Sequence, residues 1–112
     1  DNWASRGLGD VYKRQDLGYI MQTNYKYDED KFLKELKTYV DKTYNQHYSK
    51  NKFQATEFII DGGHGEGFCI GNIMKYAQRY GNKNGYNKED LMKVIHYALI
   101  MLHVHEKTRS KN

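Results

Sequence analysis

The chain has 112 residues, with 18 Lys and Arg against 14 Asp and Glu, one cysteine and no proline. That length suits one compact domain and excludes a two-lobed enzyme, while the lone Cys69 excludes an intramolecular disulfide framework. No apolar run approaches the roughly 18 residues of a membrane span and the N-terminus is too polar for a signal peptide, so a cytoplasmic protein without membrane contact is expected.

In chain order, the first segment stands apart. Ser5 to Gln15, SRGLGDVYKRQ, resembles the translation of a transposon-type sequencing adapter whose end reads Asp-Val-Tyr-Lys-Arg-Gln. Residues 1–15 are therefore expected to be non-native, with the natural start at Met21 or lost upstream of Asp16. Without them the formal net charge of +4 drops by one, a mild excess that suits an anionic partner without requiring one. Residues 16–27 read as a polar N-terminal segment, 28–107 as the folded domain and 108–112 as a disordered tail.

The stretch YDEDKFLKELKTYVDKTYNQHY places Phe32, Leu36, Tyr39, Val40, Thr43 and Tyr48 near one helical face. Asp28, Glu29 and Asp30 crowd its start, where carboxylates suit the helix dipole, and the spacing predicts a helix from Asp28 to Tyr44. SKNKFQ reads as a polar connector, and ATEFIID is short enough for a helical turn or a strand. A glycine cluster, IIDGGHGEGFCIGN, leads into a helix predicted over Glu66 to Tyr80, with Cys69, Ile73, Tyr76, Ala77 and Tyr80 as its buried stripe and Gly81 ending it. After the turn NKNGY, Asn87 is placed as an N-cap three residues before Asp90. The last helix, KEDLMKVIHYALIMLHVHEK, carries Leu91, Val94, Ile95, Ala98, Leu102 and His105 on one stripe and reads as the central packing helix. The expected fold is a small all-α single domain of three to four helices with a Gly-rich interhelical loop. A core of this size is marginal, and a homodimer would help it.

The glycine cluster invites comparison with phosphate-binding loops. A Walker loop needs G-x-x-x-x-G-K-[ST], and Gly65 to Gly71 carries neither the lysine nor the hydroxyl. A dinucleotide fingerprint needs a βαβ unit, and here helix, turn and helix follow. Gly62, Gly63, Gly65 and Gly67 therefore read first as a flexible corner and second as N–H groups facing a ligand. The stronger anion candidate lies further on. Asn72, Lys75 and Arg79, spaced by three and four, line one side of a helix, and Lys83 extends the line from the turn. If the last two helices pair antiparallel, Lys93 and Tyr97 face the same line. Arg offers a planar fork for phosphate oxygens, Lys a point charge and Tyr a stacking surface. On spacing alone, a solvated face is the simpler reading.

A longer pattern adds to this. His47 and Tyr48, then Phe68, Gly71, Asn72, Lys75, Tyr76, Arg79, Gly81, Lys83 and Gly85, then Asp90, Leu91, Lys93 and Tyr97 stand in the order of a family motif. Over roughly residues 44–105 the chain resembles the SaV-like family of small phage proteins, many of them of unknown function. A related segment occurs in a phage nucleotide kinase acting on deoxynucleoside monophosphates without a standard Walker loop. The resemblance implies a nucleotide or phosphorylated small molecule bound by His47, Tyr48, Asn72, Lys75, Tyr76, Arg79, Lys83, Lys93 and Tyr97, with Mg2+ accompanying the nucleotide if the activity is kinase-like. Alternatives are a non-catalytic sequestering or host-modulating protein, and a nucleic-acid or protein interaction module on the same basic face.

Other chemistry is weaker. Asp61, Glu66 and Asp90 are the carboxylates nearest to hand for magnesium. His103 and His105 fall on different sides of a helix, His96 and His103 are too far apart for an ordinary mononuclear site, and no H-E-x-x-H or cysteine cluster appears, so no resident metal is expected. His64 with Glu66 reads as polar loop, and Cys69 as packing rather than a nucleophile.

Overall fold

The computed structural model describes residues 23–46 and 49–109. Within them the chain is all-α. It runs through α1 (Glu29–Tyr44), α2 (Ser49–Ile59), a π-helical turn (Ile60–His64), α3 (Gly65–Arg79) and α4 (Lys88–Thr108), with no strand among the described residues. By its contacts the chain divides between Asp30 and Lys31. In the earlier unit the Tyr27 N–H donates to Glu29 Oε1 at 3.1 Å, and Glu29 and Asp30 place negative charge at the start of α1. The expected boundaries within residues 1–22 lie outside the described residues.

The later unit is organised on α4. It forms an antiparallel hairpin with α3, in which Gly65 meets Val104 at one end and Arg79 meets Asp90 at the other. The hairpin needs its glycines for different reasons. A Cβ on Gly65 would stand 3.0 Å from Val104 Cγ2 and 3.2 Å from Ile60 Cγ1, so its absence lets α3 approach α4. Gly81 has φ +84°, and a Cβ there would fall 2.6 Å from Tyr86 Cε1. The turn closes through Gly81 N–H to Gly85 O at 2.9 Å, and α4 starts at Asn87, whose side chain accepts the Glu89 N–H at 2.9 Å. α1 lies against α4, with Glu35 on Lys88 at 2.6 Å and the Tyr39 hydroxyl accepting from Lys93 at 3.3 Å.

The core is small. Among the described residues Leu36, Cys69, Met92 and Val104 are the buried hydrophobic ones, joined by Thr43, Thr56, Asp90 and His96. The two threonine hydroxyls are satisfied locally, donating to Val40 O at 2.7 Å and Lys52 O at 3.1 Å.

Several expectations change. SKNKFQ is not a connector but the body of α2, and ATEFIID continues it as helix into the π turn. The glycine cluster is a corner, yet a wound one, kinked where Gly63 takes φ 89°. Within the predicted stripe of α3, Cys69 is buried whereas Ala77 and Tyr80 are exposed. On α4 the expected packing stripe faces outward: Leu91, Ile95 and Leu102 are 42%, 41% and 61% exposed, while Asp90, Met92, His96 and Val104 are buried. At its C-terminal end α4 runs to Thr108, and Arg109 Nη2 stands 3.0 Å from Glu66 Oε1; residues 110–112 of the expected tail lie outside the described residues.

Candidate functional site

The antiparallel hairpin brings one face of α3 beside one face of α4. Tyr76 and Tyr97 stack across it, 6.0 Å between centroids and 9° apart in plane. Cations surround the Tyr76 ring, with Lys75 Nζ at 4.7 Å, Arg79 Cζ at 5.6 Å and Lys93 Nζ at 5.8 Å from its centroid. The sequence predicts Lys75, Arg79, Lys93 and Tyr97 along one face and Tyr76 on the buried stripe of α3; in the structure the Tyr76 ring stands among the three cations and against Tyr97.

Side chains from the other two helices complete the arrangement. Tyr39 of α1 and Lys52, Phe53 and Thr56 of α2 join Tyr76, Lys93, His96, Tyr97 and Ile100 around a cavity of about 20 Å³. That is room for about one water molecule. Tyr39, Lys52 and His96 are absent from the sequence-predicted set. Tyr39 falls on the apolar stripe of α1 and reads as core, Lys52 lies in the supposed connector, and His96 reads as an isolated histidine. Their signal is spatial: three helices deliver them to one point.

The electrostatics are uneven. Lys52, Lys75, Arg79 and Lys93 supply positive charge, and Glu89 and Asp90 oppose it, through Lys93 to Glu89 at 3.8 Å and Arg79 Nε to Asp90 Oδ1 at 3.8 Å. Asp90 is 5% exposed, and its Oδ2 is buried with no hydrogen-bond partner. The guanidinium therefore has a structural duty, neutralising a buried carboxylate. His96 feels the same field: burial, followed by the cations of Lys52 and Lys93, lowers its pKa from the ordinary 6.5. Burial raises the Tyr97 phenol, with the neighbouring Tyr76 adding to the effect, so Tyr97 stays neutral at physiological pH.

A larger groove opens beyond this cluster. It measures about 740 Å³, is lined by Val40, Tyr44, Ile60 and Leu99 among others, and shares Phe53, Thr56, His96 and Ile100 with the small cavity. Tyr44 and Phe53 stack in its wall at 4.3 Å. It is the roomier of the two; Lys50 lines it, whereas Lys52 and Lys93 line the smaller one.

Other predicted residues are placed differently. The Asn72 amide donates to Phe68 O at 2.9 Å, within its own helix. Lys83 is exposed in the turn after α3, its backbone N–H bonded to Arg79 O at 3.0 Å. His47 and Tyr48 lie outside the described residues. The three candidate carboxylates for magnesium do not converge. Asp61 pairs with Lys107 at 3.5 Å and Glu66 with Arg109 at 3.0 Å near the start of α3, whereas Asp90 meets Arg79 at its end. Among the described residues no three His, Cys, Asp or Glu side chains gather as a metal site. No described helix is long and apolar enough to cross a membrane.

A family model described as a protein of unknown function, DUF3310, covers residues 42–99, just over half of the chain. The chain belongs to this family. No curated protein and no solved structure matches it. In this DUF3310 chain the matched span runs from the end of α1 into α4 and holds all four cations of the cluster and both carboxylates. The family's description names no activity, and the SaV-like name and the kinase relation rest on the motif resemblance alone.

Proposed function

We propose that this DUF3310 domain binds the phosphate of a nucleotide or another phosphorylated small molecule on the α3–α4 face around Tyr76. The observation that carries the reading is the gathering of Lys52, Lys75, Arg79 and Lys93 about one set of aromatic rings, in excess of Glu89 and Asp90. Like charges held together are costly unless an anion offsets them, and Tyr76 and Tyr97 give a planar ligand something to stack on. The adjoining groove has the volume of a small-molecule site and offers room for the uncharged part of such a ligand.

The specific form suggested by the SaV-like resemblance is a nucleoside monophosphate kinase-like activity with Mg2+ brought by the nucleotide. The dispersed positions of Asp61, Glu66 and Asp90 favour binding without turnover, as in a sequestering protein. A second reading is a short single-stranded nucleic acid, favoured because the cationic cavity is too small to enclose a base and the cations lie along an open face.

A thermal-shift panel tests these readings. It uses nucleoside mono-, di- and triphosphates, cyclic nucleotides and short oligonucleotides, each with and without magnesium, on the wild type and on Lys75→Ala/Lys93→Ala. A ligand selective for the folded state raises Tm, by about 2.7 kcal/mol of added stability at a hundredfold excess over Kd. The double variant is expected to lose most of that shift. Turnover in magnesium identifies the kinase form, and affinity falling steeply with salt identifies the nucleic acid. No shift across the panel from a cooperatively melting protein, or a shift unchanged in the double variant, sinks the proposal.

A further inference from the structure

The far side of the hairpin is a different surface. On α4, Leu91, Ile95, Ala98 and Leu102 recur at spacings of four, three and four, on the flank away from Lys93, His96 and Ile100. Ile70 and Met74 stand four apart on α3, away from Phe68, Lys75 and Arg79. The five large residues of this set are exposed by 42% (Leu91), 41% (Ile95), 61% (Leu102), 42% (Ile70) and 65% (Met74). The flank of α4 that carries its leucines and isoleucines is thus the one left exposed among the described residues, a pattern that belongs to a helix covered on that side too.

We propose that this face is the contact between two copies of the chain, packed with their α4 helices antiparallel about a two-fold axis near Ile95 and Ala98. The pattern is self-complementary. An antiparallel register that sets Leu91 beside Leu102 of the second copy also sets Ile95 beside its Ala98, large against small, and repeats both pairs by symmetry. The charges agree with it. Lys88 and Glu106 are 18 residues apart, about five turns at 3.6 residues per turn, so they flank the stripe on the same side at opposite ends. Antiparallel packing places each Lys88 beside the other copy's Glu106, and an ammonium group has donors, and a carboxylate lone pairs, to spare beyond the contacts each already makes in its own chain. Parallel packing puts the two Lys88 on opposite flanks of the seam and makes no Lys88–Glu106 pair.

The area is also suitable. The five exposed residues offer on the order of 500 Å² per copy, comparable to the largest apolar patch of an ordinary monomer and more than half of the about 800 Å² per partner in a standard interface. Ala98, Val94 and the flanking Lys88 and Glu106 supply the rim. Because the contact lies on the opposite side of the hairpin from Tyr76, both anion-binding faces stay open in the dimer. The inference therefore stands independently of what binds there.

The test is the mass of the full chain in solution by light scattering and sedimentation, for the wild type, Ile95→Glu and Leu102→Glu. The wild type is expected at twice its 13.3 kDa chain mass, and each variant at 13.3 kDa with unchanged helical circular dichroism and a cooperative melt. A second measurement fixes the register without a destabilising charge. Leu91→Cys/Leu102→Cys should cross-link to a covalent dimer under mild oxidation and each single variant should not, because the native Cys69 is fully buried. A monomeric wild type overturns the proposal and leaves the face to a different protein. A dimer that survives both glutamates, or a double-cysteine variant that fails to cross-link, overturns it as well.

Discussion

Replacing Arg79 with alanine removes the cation from a carboxylate that has no other counter-charge within ion-pair distance among the described residues. Asp90 is 5% exposed and its Oδ2 already lacks a hydrogen-bond partner, so the charge left behind is poorly solvated. Breaking a buried pair in this way costs about 3–5 kcal/mol, and breaking an exposed one about 0–1 kcal/mol. The Arg79 side chain is 29% exposed and its Nε stands 3.8 Å from Oδ1, beyond hydrogen-bond range, which places the loss between those limits, at about 2 kcal/mol. At roughly 4–8 °C per kcal/mol for a domain of this size, Tm should fall by about 10 °C. Urea and thermal melts followed by helical circular dichroism measure it. Asp90→Asn in the same chain should recover at least half of the loss, because the orphaned charge is gone. A single-variant loss below about 0.5 kcal/mol, or a double variant whose loss equals the sum of the two singles, refutes the account of a coupled pair. For the same reason Lys75 and Lys93, rather than Arg79, are the residues with which to probe ligand binding.

Two further outcomes follow from the packing. His96 has its pKa held below the ordinary 6.5, so just below that pH the unfolded chain binds a proton that the folded chain refuses; stability should be full above about pH 6.5 and fall as pH drops toward the folded-state pKa, by up to about 1.4 kcal/mol per pH unit. Urea midpoints at pH 7.5 and 5.5 should show the fall in the wild type and a flatter dependence in His96→Phe. Gly65→Ala should destabilise by about 1–3 kcal/mol despite alanine's better helix propensity, since the new Cβ would press on Val104, 3% exposed and closely packed. A neutral or stabilised variant would show that α3 and α4 have slack at that point.

The helices that were legible in the sequence have one clear apolar face or clear punctuation. Acidic residues begin α1, Asn87 caps α4 and Gly81 ends α3, and each signal acts over a turn or less. α2 was not legible because SKNKF mixes polar residues with a single aromatic; its helix is held by Phe53 stacking on Tyr44 and by buried Thr56, contacts made across the chain. The buried side of α4 was misread for another reason. Leucines and isoleucines fill the flank around Leu91, Ile95 and Leu102, while the inward flank carries Asp90, Met92, His96 and Val104, so hydrophobicity points outward and packing inward. Half of the candidate site was readable as a cationic line on α3. Tyr39, Lys52 and His96 were not, because their roles exist only once α1 and α2 are laid against α4.

That placement makes His96 a reporter of the proposed ligand. Its depressed pKa has burial as the first cause and the cations of Lys52 and Lys93 as the next. An anion seated between those lysines cancels the second contribution and leaves the first, so the His96 midpoint should move upward on binding without returning fully to 6.5. Linkage makes the effect reciprocal: if the ligand favours the protonated ring, protonation must favour the ligand by the same factor, and affinity should rise as pH falls toward the His96 midpoint. Ring-proton NMR of His96 across pH 4.5 to 8, with and without the nucleotide that gives the largest thermal shift, reads both sides of that cycle. A ligand that binds tightly yet leaves the His96 midpoint unmoved is not seated against Lys52 and Lys93, and the anion site would have to be sought elsewhere on the protein.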